Sequence, residues 1–300
     1  MKNFYKNKNV LVTGGAGFIG SHIVEHLLKH NAKISVLDNL SSGYLQNIKG
    51  FLPNINFIND DIRSTNACKQ ATKNIDVVFH LAALISVPDS VENPKLCYEI
   101  NALGTKNLLE ACTKNNVQNL VFSSSAAIYG NRNDLCVEKD KPNPQSPYAE
   151  TKLIGEQLCK ECSTKCKIST AVLRYFNVFG ERQNPDGDYA AVVAKFTQQI
   201  KNNRPIIIYG SGKQTRDFIN VSNVAKANLF FASQPNLKGE IFNLANGKSI
   251  NLFELIEQLK QDLKIETVEI LFKKDRTGDI LNSKANAKKY LNFLSKIDTF

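Results

Sequence analysis

Apolar residues in the first 176 positions alternate between two rhythms. Short runs at VLV (10–12), ISVLD (34–38), INFIN (55–59), DVVFHLA (76–82) and LVFSSS (120–125) are mostly rich in Val, Ile and Phe. Such runs predict strands covered on both faces. Between the first two, Ile19, Ile23, Leu27 and Leu28 recur at helical spacing, and between the last two Leu108, Leu109 and Cys112 do the same. STAVLRYF (169–176) adds a sixth strand. Strand, helix and strand repeated in this way predict an α/β fold, a parallel sheet wound on both faces. Beyond 177 the order is looser: helical AAVVAKFTQQI (190–200), a strand PIIIYG (205–210), a helix near 222–233, a strand EIFNLA (240–245), a helix over 251–263 and a strand VEILF (268–272). The expected organisation is a nucleotide-binding domain over 1–176, joined by part of the chain near 216–245, and a smaller α/β lobe formed mainly by 177–300. The Pro-rich stretch 131–147 predicts a surface loop.

The formal charge of +10 is scattered over the whole of the 300-residue chain, without basic runs interleaved with aromatics, which argues against nucleic acid as a partner. A diffuse positive surface still suits an acidic small substrate. No apolar stretch reaches the length of a membrane span or a signal core, and seven cysteines, an odd number, predict reduced thiols in the cytoplasm. Cys159, Cys162 and Cys166 fall on one helical stretch with no fourth ligand nearby, so no metal is expected.

Chemistry begins at TGGAGFIG (13–20), directly after the first strand and opening the first helix. Gly14, Gly17 and Gly20 allow a tight turn, close approach of a pyrophosphate and close helix packing, and the helix N-terminus, with Phe18 and Ile19, offers unpaired N–H groups to phosphate. Asp38, followed by Asn39, ends the second strand. A carboxylate there accepts hydrogen bonds from adenosine ribose hydroxyls and repels a 2′-phosphate, which favours NAD over NADP in a Rossmann-type site.

The ordered motifs TGGAGFIGSH, DNLSSG, DDIRS, HLAA, SSSAAIYG, SPYAETK, LRYFNVFG, GSGKQTRDFI and RTGDI run over nearly the whole chain. Together they resemble the extended short-chain dehydrogenase/reductase family, the NAD-dependent sugar epimerases and dehydratases. The resemblance implies that Asp61 and Ile62 flank the adenine, that Leu81, Ala82 and Ala83 pass the cofactor's phosphates and ribose, that Asn101 supports the catalytic region, and that Tyr175 and Phe176 lie on the nicotinamide side. It assigns Tyr148 as the proton-transfer group, Lys152 as its partner and holder of the nicotinamide ribose, and Ser125 as the serine that hydrogen-bonds the reacting sugar hydroxyl, with Ser124 behind it. Tyr148 and Lys152, four apart, share a helix face. A tyrosine pKa has to fall by about 3 to act as a base at neutral pH, roughly 4 kcal/mol. A nearby ammonium and a positive nicotinamide ring both push it that way.

The same resemblance narrows the reaction. Dehydratases of this family carry an Asp-Glu pair after the strand-end serine or threonine, and decarboxylating members a glutamate; here Ala126 and Ala127 stand, and neither moves a proton. Reversible oxidation at carbon 4 remains, the reaction of a UDP-hexose 4-epimerase with retained NAD. Arg216, Arg276 and Asp279 match positions that grip the nucleotide diphosphate and its ribose, with Asn177 in the same region. Ser283 matches a position beside the sugar's carbon-2 substituent, and with Ser86, Ala190 and Ala191 it resembles the N-acetylhexosamine subgroup. Ser283 is equally a candidate N-cap for the helical SKANAKKYL. The expected substrates are UDP-GlcNAc and UDP-GalNAc; UDP-glucose or UDP-uronate epimerisation, sugar-nucleotide reduction and a non-catalytic NAD-binding scaffold are the alternatives. The resemblance also implies a homodimer.

Overall fold

The structure, a computed structural model, describes residues 3–132, 134–185, 192–274 and 283–295. Its main sheet contains seven parallel strands: β1 (Asn9–Thr13), β2 (Lys33–Leu37), β3 (Ile55–Ile58), β4 (Val77–His80), β5 (Asn119–Ser125), β6 (Ser169–Tyr175) and β10 (Lys238–Leu244), in the order β10-β6-β5-β4-β1-β2-β3. The chain lays β1, β2 and β3 outward in one direction and then returns, so that β4 pairs with the free side of β1. That reversal opens a crevice at the carboxyl ends of β1 and β4, where ligands of doubly wound sheets bind.

Period-two alternation along the buried strands sorts their side chains onto two cores. Val10, Val12, Phe79, Val121 and Leu173 face helices α1 (Phe18–Lys29) and α8 (Val221–Ala232). Leu11, Val78, Leu120, Phe122 and Val172 face α2 (Thr65–Ala71), α5 (Gly104–Lys114) and α6 (Pro147–Cys166). Four cysteines, Cys68, Cys112, Cys159 and Cys162, are apolar members of this second core, and burial raises each thiol's pKa. EIFNLA becomes β10, and its pairing with β6 brings the chain back to the main sheet after residue 177.

The remaining described strands form two small sheets. β7 (Asn177–Phe179), β9 (Thr215–Asn220) and β11 (Ser249–Asn251) make one, and β8 (Ile206–Tyr209) pairs with β12 (Ile270–Lys273) in the other. α7 (Val192–Lys201) and α9 (Leu252–Leu263) close a third core over β8 through Phe196, Ile200, Ile206, Ile208, Leu255 and Ile256. A capping box between Asn251 and Glu254 fixes the start of α9. The stretch 131–147 is not wholly superficial. Cys136 is buried, accepts from Asn286 N (2.9 Å) and gives its own N–H to Lys284 O (2.9 Å), so its backbone is tied to a distant segment. A short helix α10 (Lys288–Leu294) follows.

A buried ion pair joins β6 to α6. Arg174 on β6 makes two charge-assisted bonds to Glu156 on α6, Nε to Oε1 at 2.8 Å and Nη2 to Oε2 at 2.7 Å, with both side chains at most 4% exposed. The guanidinium also lies over the Tyr129 ring at 4.7 Å. Removing one partner of such a pair leaves an uncompensated buried charge, a loss of about 3–5 kcal/mol. Glu156→Ala is therefore expected to lower the urea midpoint by that scale, and Glu156→Gln, which keeps an acceptor for Arg174, by clearly less; equal midpoints for wild type and Glu156→Ala would show the pair to be neutral.

Candidate active site

The site is assembled where β1, β4, β5 and α6 end or begin. Gly14 adopts φ +69°, and a Cβ there would come within 2.7 Å of Ala82 N; a Cβ on Gly20 would come within 2.1 Å of Gly14 O. These positions fold the glycine turn against the Leu81–Ala83 strap and seat α1 on the turn. Gly17 caps α1 without any side-chain hydrogen bond. The first-turn N–H groups of Phe18, Ile19 and Gly20 lack intrahelical partners by helix geometry, so they form a ready anion cradle. Asp38 is buried at the end of β2, where its oxygens accept from Ala16 N (2.9 Å) and Leu40 N (2.9 Å). Burial raises its pKa, and the two N–H donors oppose that rise. The carboxylate thus shapes the glycine turn, a task that the sequence did not reveal. Asn39 donates to Asp61 Oδ2 (2.8 Å), which also holds Arg63 (2.8 Å), and Ile62 is buried beside Gly104.

A chain of buried hydrogen bonds runs from this cradle to the tyrosine helix. Thr13 Oγ1 lies 2.8 Å from His80 Nδ1, and His80 Nε2 lies 2.9 Å from Thr105 Oγ1. The Thr105 hydroxyl gives its proton to Asn101 O (2.5 Å). Thr105 can therefore only accept from the imidazole, which makes Nε2 the protonated nitrogen and Nδ1 the acceptor for Thr13 O–H. Burial holds the His80 pKa down to about 3, with a further push from Lys152, so the ring is neutral and keeps this polarity. Asn101 sits in a π-helical turn over Glu99–Leu103. Its Nδ2 donates to Thr151 Oγ1 (3.1 Å) and to Leu84 O (2.9 Å), and its Oδ1 accepts from Leu84 N (2.8 Å). Thr151 in turn donates to Tyr148 O (2.9 Å).

SPYAE is an efficient helix start: Ser146 caps Ala149 N (3.2 Å) and Pro147 takes the first helical position. Tyr148, Lys152 and Glu156 then follow at four-residue steps on one stripe of α6. Lys152 is 4% exposed; its Nζ donates to Ser123 O (2.8 Å) and lies 5.9 Å from the Tyr148 ring centre. Burial pulls its pKa down to about 8. Ser125, at the end of β5, acts on the Tyr148 phenol to oppose the rise in its pKa and accepts from Ala127 N (3.1 Å). Ser124 points elsewhere, donating to Glu156 Oε1 (2.6 Å). The Tyr148 pKa does not fall in the ligand-free fold. Burial raises it and Ser125 opposes the rise without reversing it.

Tyr175 ends β6, in register with Ser125. Its ring is in the core and its hydroxyl donates to Asn228 Oδ1 (2.8 Å) on α8, so it braces β6 from behind. Phe176 is likewise a core residue, 6.3 Å from the Tyr129 ring. Asn177 and Ser283 do come together, Nδ2 to Oγ at 3.4 Å, and Asn177 also donates to Asp217 O (3.1 Å). Ser283 N binds Thr215 O (3.0 Å) and Ser283 O accepts from Asp217 N (3.1 Å). It is not a helix cap: α10 begins at Lys288 with Ala287 in the cap position, because backbone pairing to β9 claims Ser283 first. Arg216 is half-buried on β9 with Nη1 on Thr215 O (3.0 Å), and Ser86 caps α3 (Val87–Glu92) through Asp89 N (3.2 Å). Ala190, Ala191, Arg276 and Asp279 lie outside the described residues. Asp217, missed in the sequence, is fully buried between Asn246 N (2.8 Å) and Gly247 N (2.9 Å), and burial raises its pKa to about 6.

Residues 10–245 match the model of the NAD dependent epimerase/dehydratase family. The chain belongs to that family. A protein of Methanocaldococcus jannaschii, named as a provisional UDP-glucose 4-epimerase, is 42% identical over 283 residues, covering 93% of this chain and 90% of its own. Among solved structures, a UDP-N-acetylglucosamine 4-epimerase from Methanobrevibacter ruminantium in complex with UDP-N-acetylmuramic acid superposes with TM-score 0.91 at 39% identity, over 96% of this chain and 92% of that one. The UDP-glucose 4-epimerase of Thermus thermophilus in complex with NAD gives 0.85 at 35%, over 96% and 92%. NAD is the family's cofactor, and the glycine turn, the uncapped helix start and the Asp38 carboxylate fit a dinucleotide. Among the described residues no helix is long and apolar enough to cross a membrane, and no cluster of three or more His, Cys, Asp or Glu is arranged for a metal ion.

The buried lysine makes a stability prediction. Its folded pKa lies below the unfolded value of 10.5, so the unfolded chain binds the extra proton. The resulting penalty, about 3 kcal/mol, is full below pH 8 and fades as pH rises toward 10.5. Cofactor-free Lys152→Met should melt higher than wild type at pH 7, with the gap narrowing by about pH 9.5; a gap that widens with pH would refute this.

Proposed function

We propose that this enzyme interconverts UDP-hexoses by NAD-dependent 4-epimerisation, with UDP-GlcNAc and UDP-GalNAc as the preferred pair. The observation that carries the reading is the meeting of Ser125, Tyr148 and Lys152 beside the glycine cradle, with Ala126 and Ala127 in place of any carboxylate in the turn after Ser125. Such a site moves a proton at one hydroxyl and has no acid or base to eliminate water. NAD, held by Gly14, Gly17, Phe18, Ile19, Gly20, Asp38, Asn39, Asp61, Ile62 and the Leu81–Ala83 strap, supplies the hydride acceptor and donor.

The chain's own residues do the rest. Ser125 aligns the carbon-4 hydroxyl, and Tyr148 takes its proton and later returns one to the carbon-4 oxygen of the transient 4-keto sugar, whose opposite face receives the hydride. Lys152 orients the nicotinamide ribose. The Tyr148 phenol, protonated in the free protein, needs the positive charge of the bound cofactor to bring its pKa into range. The uridine diphosphate is the fixed handle about which the sugar turns, gripped by Asn177, Arg216, Arg276 and Asp279.

Two findings support the acetamido sugars. Ser283, 3.4 Å from the Asn177 amide, is a small side chain at the position that the family resemblance sets beside the carbon-2 substituent, and the M. ruminantium relative is a UDP-N-acetylglucosamine 4-epimerase. The T. thermophilus and M. jannaschii relatives favour UDP-glucose as the second reading. A homodimer in the cytoplasm completes the proposal, supported by seven free thiols, six of them buried, and by the exposed Leu103 at the head of α5.

Proton NMR of purified protein with UDP-GlcNAc and, separately, UDP-glucose tests both levels. UDP-GalNAc forming faster than UDP-galactose is the expected result; no product from either sugar, even with added NAD, would sink the reaction. Tyr148→Phe should lower turnover by about 10²–10⁴ while UDP-sugar still binds, and undiminished turnover would remove Tyr148 from the chemistry. Ser283→Tyr should suppress the acetamido pair at least tenfold more than UDP-glucose, a steric loss of roughly 1–3 kcal/mol. Equal losses would overturn the pocket argument.

A further inference from the structure

The chain that leaves β7 turns back to the outer flank of the cofactor cradle and touches it at several points. His22 on α1 meets Glu181 O through Nε2 at 2.9 Å; a carbonyl only accepts, so Nε2 carries the proton. Arg182 stands at φ +64°, a left-handed conformation that a non-glycine residue keeps only when its surroundings hold it. Its Nη2 pairs with Glu25, its Nη1 donates to Ser21 Oγ (3.3 Å), and its guanidinium lies 5.6 Å from the Phe51 ring centre. Asn184 Nδ2 donates to Tyr44 OH (3.0 Å).

Ser21, His22 and Glu25 belong to α1, whereas Tyr44 and Phe51 belong to the segment after β2. Both elements border the glycine turn. Ala16 O accepts from Tyr44 N (3.0 Å) and Asn47 Nδ2 (2.9 Å), and Ala16 N donates to Asp38. Parting these two elements would pull on the glycine turn through Ala16, and so on a dinucleotide held there.

We propose that Arg182 and Asn184 are a staple that retains the dinucleotide, by fastening α1 to the 44–51 segment from the side of the chain that carries Asn177. The proposal rests on the reading of the glycine cradle as the NAD site. Retention matters because a reduced cofactor lost between the two hydride transfers would strand the sugar as a ketone. The two residues touch neither proton nor hydride; they are positioning residues.

The test measures cofactor rather than turnover. Purified full-length protein is reconstituted with NAD and dialysed, and the NAD remaining after acid release is followed over time for wild type, Arg182→Ala, Asn184→Ala and the charge exchange Glu25→Arg/Arg182→Glu. Arg182→Ala should lose NAD about fivefold faster, the scale of one partly exposed charge-assisted contact. Asn184→Ala should also lose it faster, and the exchange should retain NAD better than Arg182→Glu alone. If Arg182→Ala fails to fold, by melting curve, the Asn184→Ala and charge-exchange rates decide. Loss rates equal to wild type overturn the staple and leave the cofactor site standing. Failure of wild type to take up NAD at all overturns the site, and the staple with it.

Discussion

A neutral, fully buried imidazole couples the two halves of the candidate site. His80 ends β4 at the point where the sheet reverses direction, with the last residue of β1 on one side and α5 on the other. A protonated ring would have to donate at both nitrogens, and Thr13, already accepting from Leu81 N (3.2 Å) and Ala82 N (3.3 Å), would lose the acceptor for its own proton. Burial removes that option. Donors therefore align in one sense from Thr13 through His80 and Thr105 to the Asn101 carbonyl, and the Asn101 side chain passes the constraint to Thr151 and the first turn of α6. The glycine turn and Tyr148, remote in sequence, are thus held in one frame.

Helix α6 carries the second constraint. Its stripe Tyr148, Lys152 and Glu156 holds a phenol, an ammonium and a carboxylate, all partly or wholly out of water. Glu156 is neutralised by Arg174 and fixed by Ser124, whereas Lys152 meets, among the described residues, the Ser123 carbonyl and two ring faces. The anchored end is stable and the working end is not. That division suits a lysine whose full set of partners includes a ligand, since a buried ammonium without a counter-charge gains most when ribose hydroxyls arrive.

Legibility in the sequence followed the range of the interactions. Buried strands read as apolar runs because both faces must leave water, and the glycine turn and the SPYAETK stripe are local patterns whose spacing is their geometry. Short polar elements such as β7, β9 and β11 were not visible, since edge pairing over three to six residues leaves little hydrophobic period. Ser283 illustrates the limit. Its local sequence favours a cap, yet non-local pairing to Thr215 and Asp217 overrides that preference. Tyr175 shows the same limit: its hydroxyl bonds Asn228, 53 residues away, a pairing that its local motif does not announce. The raised pKa of Tyr148 has a similar origin: charge proximity can be read from i, i+4 spacing and desolvation cannot.

Asp217 shows how the handle end is tied to the chemistry without sharing it. The carboxylate closes the turn from β10 to β11 through Asn246 and Gly247, and its backbone holds Ser283 on one side and Asn177 on the other. β10 lies in the main sheet beside β6, whose last residue is aligned with Ser125. One buried acid therefore fixes Ser283, the neighbouring Arg216 and the main sheet relative to each other. A sugar that rotates about a fixed diphosphate, as the proposed reaction requires, needs this combination, rigid at the handle and open at the ring. The fold suits it by placing its hydrogen bonds around Asp217 and keeping a small side chain, Ser283, at the position that the proposal sets beside the sugar's carbon-2 substituent.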